Sequence, residues 1–109
     1  MQKAKTQSEI NNFTDLFAWQ KAHQLALAIY KATIDFPSTE IFGLTSQIKR
    51  AAASVSSNIA EGYSRRTQAE KVHFYHIALG SCTEVQNHLI LSKDLLYIQP
   101  DSYREFYDL

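Results

Sequence analysis

The stretch TQAEKVHFYHIALGSCTEVQNHLILSKDLL, Thr67 to Leu96, decides the fold. It opens with Thr67-Gln68-Ala69-Glu70, a capping box in which the threonine hydroxyl accepts from the Glu70 N–H and the Glu70 carboxylate accepts from the threonine N–H. From there Phe74, Ala78, Ser81, Val85, Leu89, Ser92 and Leu96 recur at steps of four and three, the spacing that lines up one face of an α-helix. The pattern predicts a single helix over about 67–96, ~45 Å long at 1.5 Å per residue. Gly80 and Ser81 fall near its middle, where small residues allow a neighbouring backbone to approach closely.

Working outward, Ser64, Arg65 and Arg66 connect this helix to an earlier one over about 41–62. Its stripe is Ile41, Leu44, Ile48, Ala52, Val55 and Ile59, and Gly62 stands where a C′ glycine ends a helix. A first helix is expected over about 14–36, with Thr14 as N-cap and Asp15 in the first turn, where a carboxylate suits the helix dipole. Its stripe is Leu16, Trp19, Ala22, Ala26, Ile29 and Thr33, and it should stop at Phe36, because Pro37 pushes the preceding residue out of the α region. Pro100 can open a fourth, short helix over 100–109 with Tyr103, Phe106 and Tyr107 as its apolar contacts. Residues 1–12 are polar and aperiodic and read as a flexible arm, leaving 13–109 as one domain. Short connections between consecutive helices predict an all-α, antiparallel, up-and-down four-helix bundle.

Composition agrees with this reading. Only three Gly and two Pro interrupt 109 residues, which disfavours a turn-rich β fold. No apolar run approaches the roughly 20 residues that span a bilayer, and the opening MQKAKTQSEI lacks the apolar core of a secretory signal. One cysteine, Cys82, offers neither a staple nor a zinc motif. By exclusion these features predict a soluble cytoplasmic protein. Eleven basic and eleven acidic residues cancel, so any nucleic-acid role would rest on local patches and not on the whole chain's charge.

No catalytic constellation is predicted, and no cofactor. Cys82 lies beside an apolar stripe and reads as an inert buried thiol. The serines form no Ser-His-acid set, and the three glycines are too far apart for a phosphate loop. Glu70-x-x-His73 has the spacing of a di-iron bundle motif, but it occurs once, its Glu70 is engaged by the cap, and Glu84 to His88 has a different spacing. A bundle metalloprotein is therefore the third reading. His76 points away from the stripe, His88 flanks it, and His23 is expected to be a core histidine.

Two surfaces stand out. Along the second helix, Gln47, Ser54, Asn58 and Glu61 form a row beside the apolar stripe, with Ala51 between. The run Ala51-Ala52-Ala53-Ser54-Val55-Ser56-Ser57 is nearly all small and uncharged, as expected of a helix packed on several sides. With Gly80 and Ser81, this row is the candidate oligomer interface. The candidate nucleic-acid surface comprises Lys49, Arg50, Arg65, Arg66 and Lys71, with Tyr63, His73 and Tyr75 near the corner in sequence; RNA or DNA bound there would be released by salt and lost in an Arg65→Ala/Arg66→Ala variant.

Several separated motifs, in order, carry a resemblance. They are Asp15-Leu16-Phe17-Ala18-Trp19-Gln20-Lys21-Ala22, Phe36-Pro37, Gly43-Leu44-Thr45-Ser46-Gln47-Ile48-Lys49-Arg50-Ala51-Ala52, Ser57-Asn58-Ile59-Ala60-Glu61-Gly62 and Leu79-Gly80-Ser81-Cys82-Thr83-Glu84. From Phe13 to Tyr103 the chain resembles a bacterial family of four-helix bundles named for open reading frames in intervening sequences of large-subunit ribosomal RNA genes. The resemblance implies a homo-oligomer, a pentamer being favoured, and a fold similar to the accessory proteins of diversity-generating retroelements, pentameric barrels that bind nucleic acid and a reverse transcriptase. Those proteins are strongly basic, whereas this chain is neutral, and its fourth helix is short. The expected function is a non-enzymatic, self-associating scaffold or adaptor, with nucleic-acid binding at a basic oligomer face as the alternative. No membrane and no small-molecule substrate are expected.

Overall fold

A computed structural model of the chain describes residues 9–100. Among them are three α-helices and no strands: α1 (Phe17–Ala32), α2 (Leu44–Ser64) and α3 (Gln68–Asp94), with 3-10 turns at Phe13–Asp15, Thr33–Asp35 and Ser38–Glu40. The fourth helix expected over 100–109 lies outside the described residues apart from Pro100, as does the arm apart from residues 9–12.

Helix α1 is shorter than expected at both ends. Thr14 is not its N-cap. Instead the Asn12 Oδ1 accepts from the Thr14 N–H at 2.7 Å and holds a tight turn, Leu16 is extended (φ −70°, ψ 128°), and the helix begins at Phe17. At the far end Pro37 confines Phe36 to φ −68°, ψ 150°, and the restriction propagates back as a 3-10 turn.

Helix α2 starts at Leu44 and not Ile41, because the Glu40 Oε1 accepts from the Leu44 N–H at 3.2 Å and Gly43 supplies a bend with φ −113° and ψ −115°. It runs through Gly62 to Ser64, so Gly62 is not a C′ residue. A Cβ on Gly62 would stand 2.5 Å from the Tyr75 ring; the glycine is there for the close approach of α3. Helix α3 opens on the expected capping box, both halves of which form.

The helices run up, down and up. Ile29, Phe36, Leu44, Ile48, Ala51, Ala52, Val85, Leu89 and Ile98 make the core. Ser92 is fully buried, its hydroxyl donating to the His88 carbonyl at 2.7 Å. The apolar stripes of α2 and α3 are largely buried as their spacing requires, with two exceptions at one end, Ile41 and Leu96, which are 53% and 84% exposed. Leu96 is not helical. It sits at φ 65° as the C′ residue of a Schellman turn, with the Tyr97 N–H on the Ser92 carbonyl at 2.8 Å and the Leu96 N–H on the Lys93 carbonyl at 3.0 Å. No described helix is long and apolar enough to cross a membrane.

Candidate functional site

The small-residue row of α2 lies along its junction with α3. Ala51 is buried in the core. The Ser54 and Ser81 hydroxyls share a hydrogen bond of 2.8 Å, and the Asn58 Nδ2 donates to the Ser54 carbonyl at 2.8 Å and to its hydroxyl at 3.0 Å. Small side chains at this junction let the helices meet and leave each hydroxyl a partner. Gln47 is half-buried and accepts from Arg50, and Glu61 is exposed and pairs with Arg65 at 3.2 Å. Gly80 makes no close approach within the chain, since a Cβ there would meet nothing within 4 Å.

Helix α3 is apolar well beyond its core stripe. On one flank Val72, Tyr75, Leu79 and Ile90 are exposed, and on the other Ile77, Leu91 and Leu95. At 100° per residue these two rows lie on either side of the stripe Ala78, Ser81, Val85, Leu89. The second flank also carries Glu84 and His88. His88 is mostly buried, its Nε2 lies 3.2 Å from the Glu84 carboxylate, and its Nδ1 is buried with no partner among the described residues.

The first flank borders a groove. Helices α1 and α3 both pack on α2, and between them two adjoining hollows of about 290 and 390 Å³ are floored by Val55 and Ile59 and walled by Ala18 of α1 and Cys82 of α3. Cys82 is half-buried, as expected beside the stripe, and burial pushes its thiol up from the ordinary value.

The basic residues do not gather. Lys49 and Arg50 lie near the start of α2, with the Lys49 ammonium over the Tyr30 ring at 4.6 Å. Arg65, Arg66 and Lys71 lie past its other end, and fifteen residues of helix separate Arg50 from Arg65 by ~22 Å. Lys71 serves the fold: its Nζ donates to the Tyr63 carbonyl at 2.8 Å and the Gly62 carbonyl at 3.3 Å, satisfying the end of α2. Arg65 lies over the Phe74 ring at 4.6 Å, and Arg66 is exposed.

The histidines are dispersed. His23 is exposed and stacks on Trp19 at 4.8 Å, so it is not the core histidine expected; the buried residues of α1 are Ala22 and Ile29. His73 meets Phe74 edge-on, and His76 is exposed. Among the described residues no three His, Cys, Asp or Glu side chains gather as metal ligands. Sequence reading missed the hydrogen bond from the Tyr97 hydroxyl to the Glu40 carboxylate at 2.8 Å; the two are 57 residues apart, and no local spacing signals the pair.

A comparison with curated proteins finds no match. A comparison with protein families matches residues 14–109 to the 23S rRNA-intervening sequence protein family. That span takes in all three helices and both flanks of α3, and the chain belongs to this family.

Proposed function

We propose that the chain is a non-enzymatic, cytoplasmic scaffold or adaptor that works as a homo-oligomer, a pentamer being favoured by the family resemblance. The observation that carries this is the exposed apolar surface of α3 on both flanks of its core stripe. An apolar face this wide is normally covered across its width, yet α2 covers only the core stripe. On this reading the bundle has the fourth helix expected from the sequence over 100–109. The flank of Ile77, Leu91 and Leu95, next to the polar row of α2, meets a neighbouring subunit.

Leu91 is 45% exposed, so Leu91→Glu keeps the helix former and the core while placing charge on the flank. Sedimentation velocity should show the variant at a lower mass than the wild-type protein, with the same helical circular dichroism. A variant that sediments as the wild type contradicts the assignment of this flank.

A further inference from the structure

A third hollow, of about 510 Å³, lies where α1 meets the first turns of α2. Tyr30 of α1 forms one side, and Thr45, Ser46, Lys49 and Arg50 of α2 form the other. Its volume is within the range of small-molecule sites. None of the residues lining it is acidic, and none belongs to α3.

Two positive charges are uncompensated here. The Lys49 ammonium lies over the Tyr30 ring at 4.6 Å, and Arg50 donates to the neutral Gln47 side chain. Neither pairs with a carboxylate among the described residues. At the far corner of α2, by contrast, Arg65 pairs with Glu61, and Lys71 is engaged by backbone carbonyls. In sequence Lys31 follows Tyr30 and Glu40 precedes Ile41, one charge of each sign. The Glu40 carboxylate already accepts from the Leu44 N–H and the Tyr97 hydroxyl. Two hydroxyls of the hollow also have hydrogen bonds left to make. The Thr45 Oγ1 is buried with no partner among the described residues, in an interior where nearly all polar groups are paired. The Ser46 Oγ has only a long contact, 3.4 Å to the Gly43 carbonyl, beyond the usual O–H···O range.

We propose that this hollow binds a small phosphate monoester. The dianion lies between Lys49 and Arg50 and balances both charges. The guanidinium fork suits phosphate oxygens, and the Tyr30 ring holds the Lys49 ammonium at the site. Ser46 and Thr45 donate to the remaining oxygens. Threonine in a helix divides between two χ1 rotamers, so Thr45 turns its hydroxyl to the ligand without moving the backbone. The organic body of the ester rests on Ile41 and Ala53, the apolar part of the lining. A nucleic-acid strand is a poorer fit, because it is gripped by cations spaced along its path, and Arg65 stands ~22 Å from Arg50. An anionic membrane calls for a broader basic cluster than two residues. The site is apart from the flank of α3, so it stands or falls independently of the assembly.

The test is an amide chemical-shift titration of the full chain by NMR, with phenyl phosphate as the probe. Saturable shifts should centre on Thr45, Ser46 and Lys49, and inorganic phosphate should compete. Phenol, which lacks the phosphate, should leave those amides in place. A Lys49→Gln/Arg50→Gln variant, with unchanged helical circular dichroism, should weaken binding about tenfold or more. Lys49→Arg keeps the charge and should retain binding, and Arg65→Gln/Arg66→Gln should bind as the wild type. Absence of saturable shifts would overturn the proposal, as would equal weakening by the two double variants, which would reduce the effect to overall charge. Shifts produced equally by phenol would overturn the role of the phosphate. No response to phenyl phosphate, together with capture by phosphatidic acid vesicles or by single-stranded RNA that the Lys49→Gln/Arg50→Gln variant loses, would assign the hollow to lipid or nucleic acid and overturn the proposal.

Discussion

At the α2–α3 corner the polar groups that the turn exposes find partners within nine residues of chain. Thr67 and Glu70 cap α3, Lys71 satisfies the last carbonyls of α2, Arg65 covers Phe74, and Gly62 makes room for Tyr75. At the opposite end the closure is long-range and incomplete. Glu40 and Tyr97 hold α2 to the chain beyond α3, Ile98 is buried without belonging to a helix, and Ile34, Phe42 and Leu96 face outward. The corner is built to finish a fold locally, whereas the other end finishes only the core and leaves apolar surface over. The two ends of one small bundle are thus closed by different means.

Substitutions can break or sharpen this contrast. The largest effect belongs to Ile98→Ala. If the open end is truly part of the core, removing this buried side chain lowers unfolding free energy by ~2–5 kcal/mol, measured by urea denaturation; a loss of only a few tenths would detach residues 97–98 from the core. Next is Gly62→Ala. Its methyl would strike the Tyr75 ring, and overpacking should destabilise by ~1–3 kcal/mol. In a Tyr75→Ala background the same change should stabilise, because alanine is the better helix former by ~1 kcal/mol. A double-mutant cycle reads the reversal. Thr67→Ala should cost ~1 kcal/mol through loss of the cap. Leu96→Gly should act with the opposite sign, raising the thermal midpoint of the isolated subunit by relieving ~1 kcal/mol of left-handed strain.

The Tyr97–Glu40 bond adds a pH signature. The hydrogen bond to Glu40, then burial and the carboxylate's charge, push the Tyr97 hydroxyl above its ordinary value. A pKa raised on folding gives stability that is complete below the unfolded value of ~10 and is lost as pH rises through the folded one. Tyr97→Phe should remove that alkaline loss from the pH dependence of unfolding.

The same contrast explains what was legible in the sequence. The capping box and the stripe from Ala78 to Ser92 are local patterns, and they placed α3 within two residues of its observed end. Helix α2 was readable in its interior, but Gly62 was misread, because the ring it accommodates comes thirteen residues later in the chain. Thr14 lies inside a 3-10 turn that Asn12 caps, and α1 begins after Leu16 with no side-chain cap; either Asn12 or Thr14 can accept from a nearby N–H, and spacing does not choose between them. Leu96 was assigned to the buried stripe because its register fits; the usual signal for a left-handed ending is glycine, which is absent. Gly80 and the α2 row were recognised as small-residue surfaces, but sequence could not say that Ser54, Asn58 and Ser81 bond to one another.

Self-association is the central claim, and light scattering of the purified protein at micromolar concentration addresses it most directly. The account predicts a mass several times the 12.4 kDa of one chain. A constant 12.4 kDa at every concentration would contradict it.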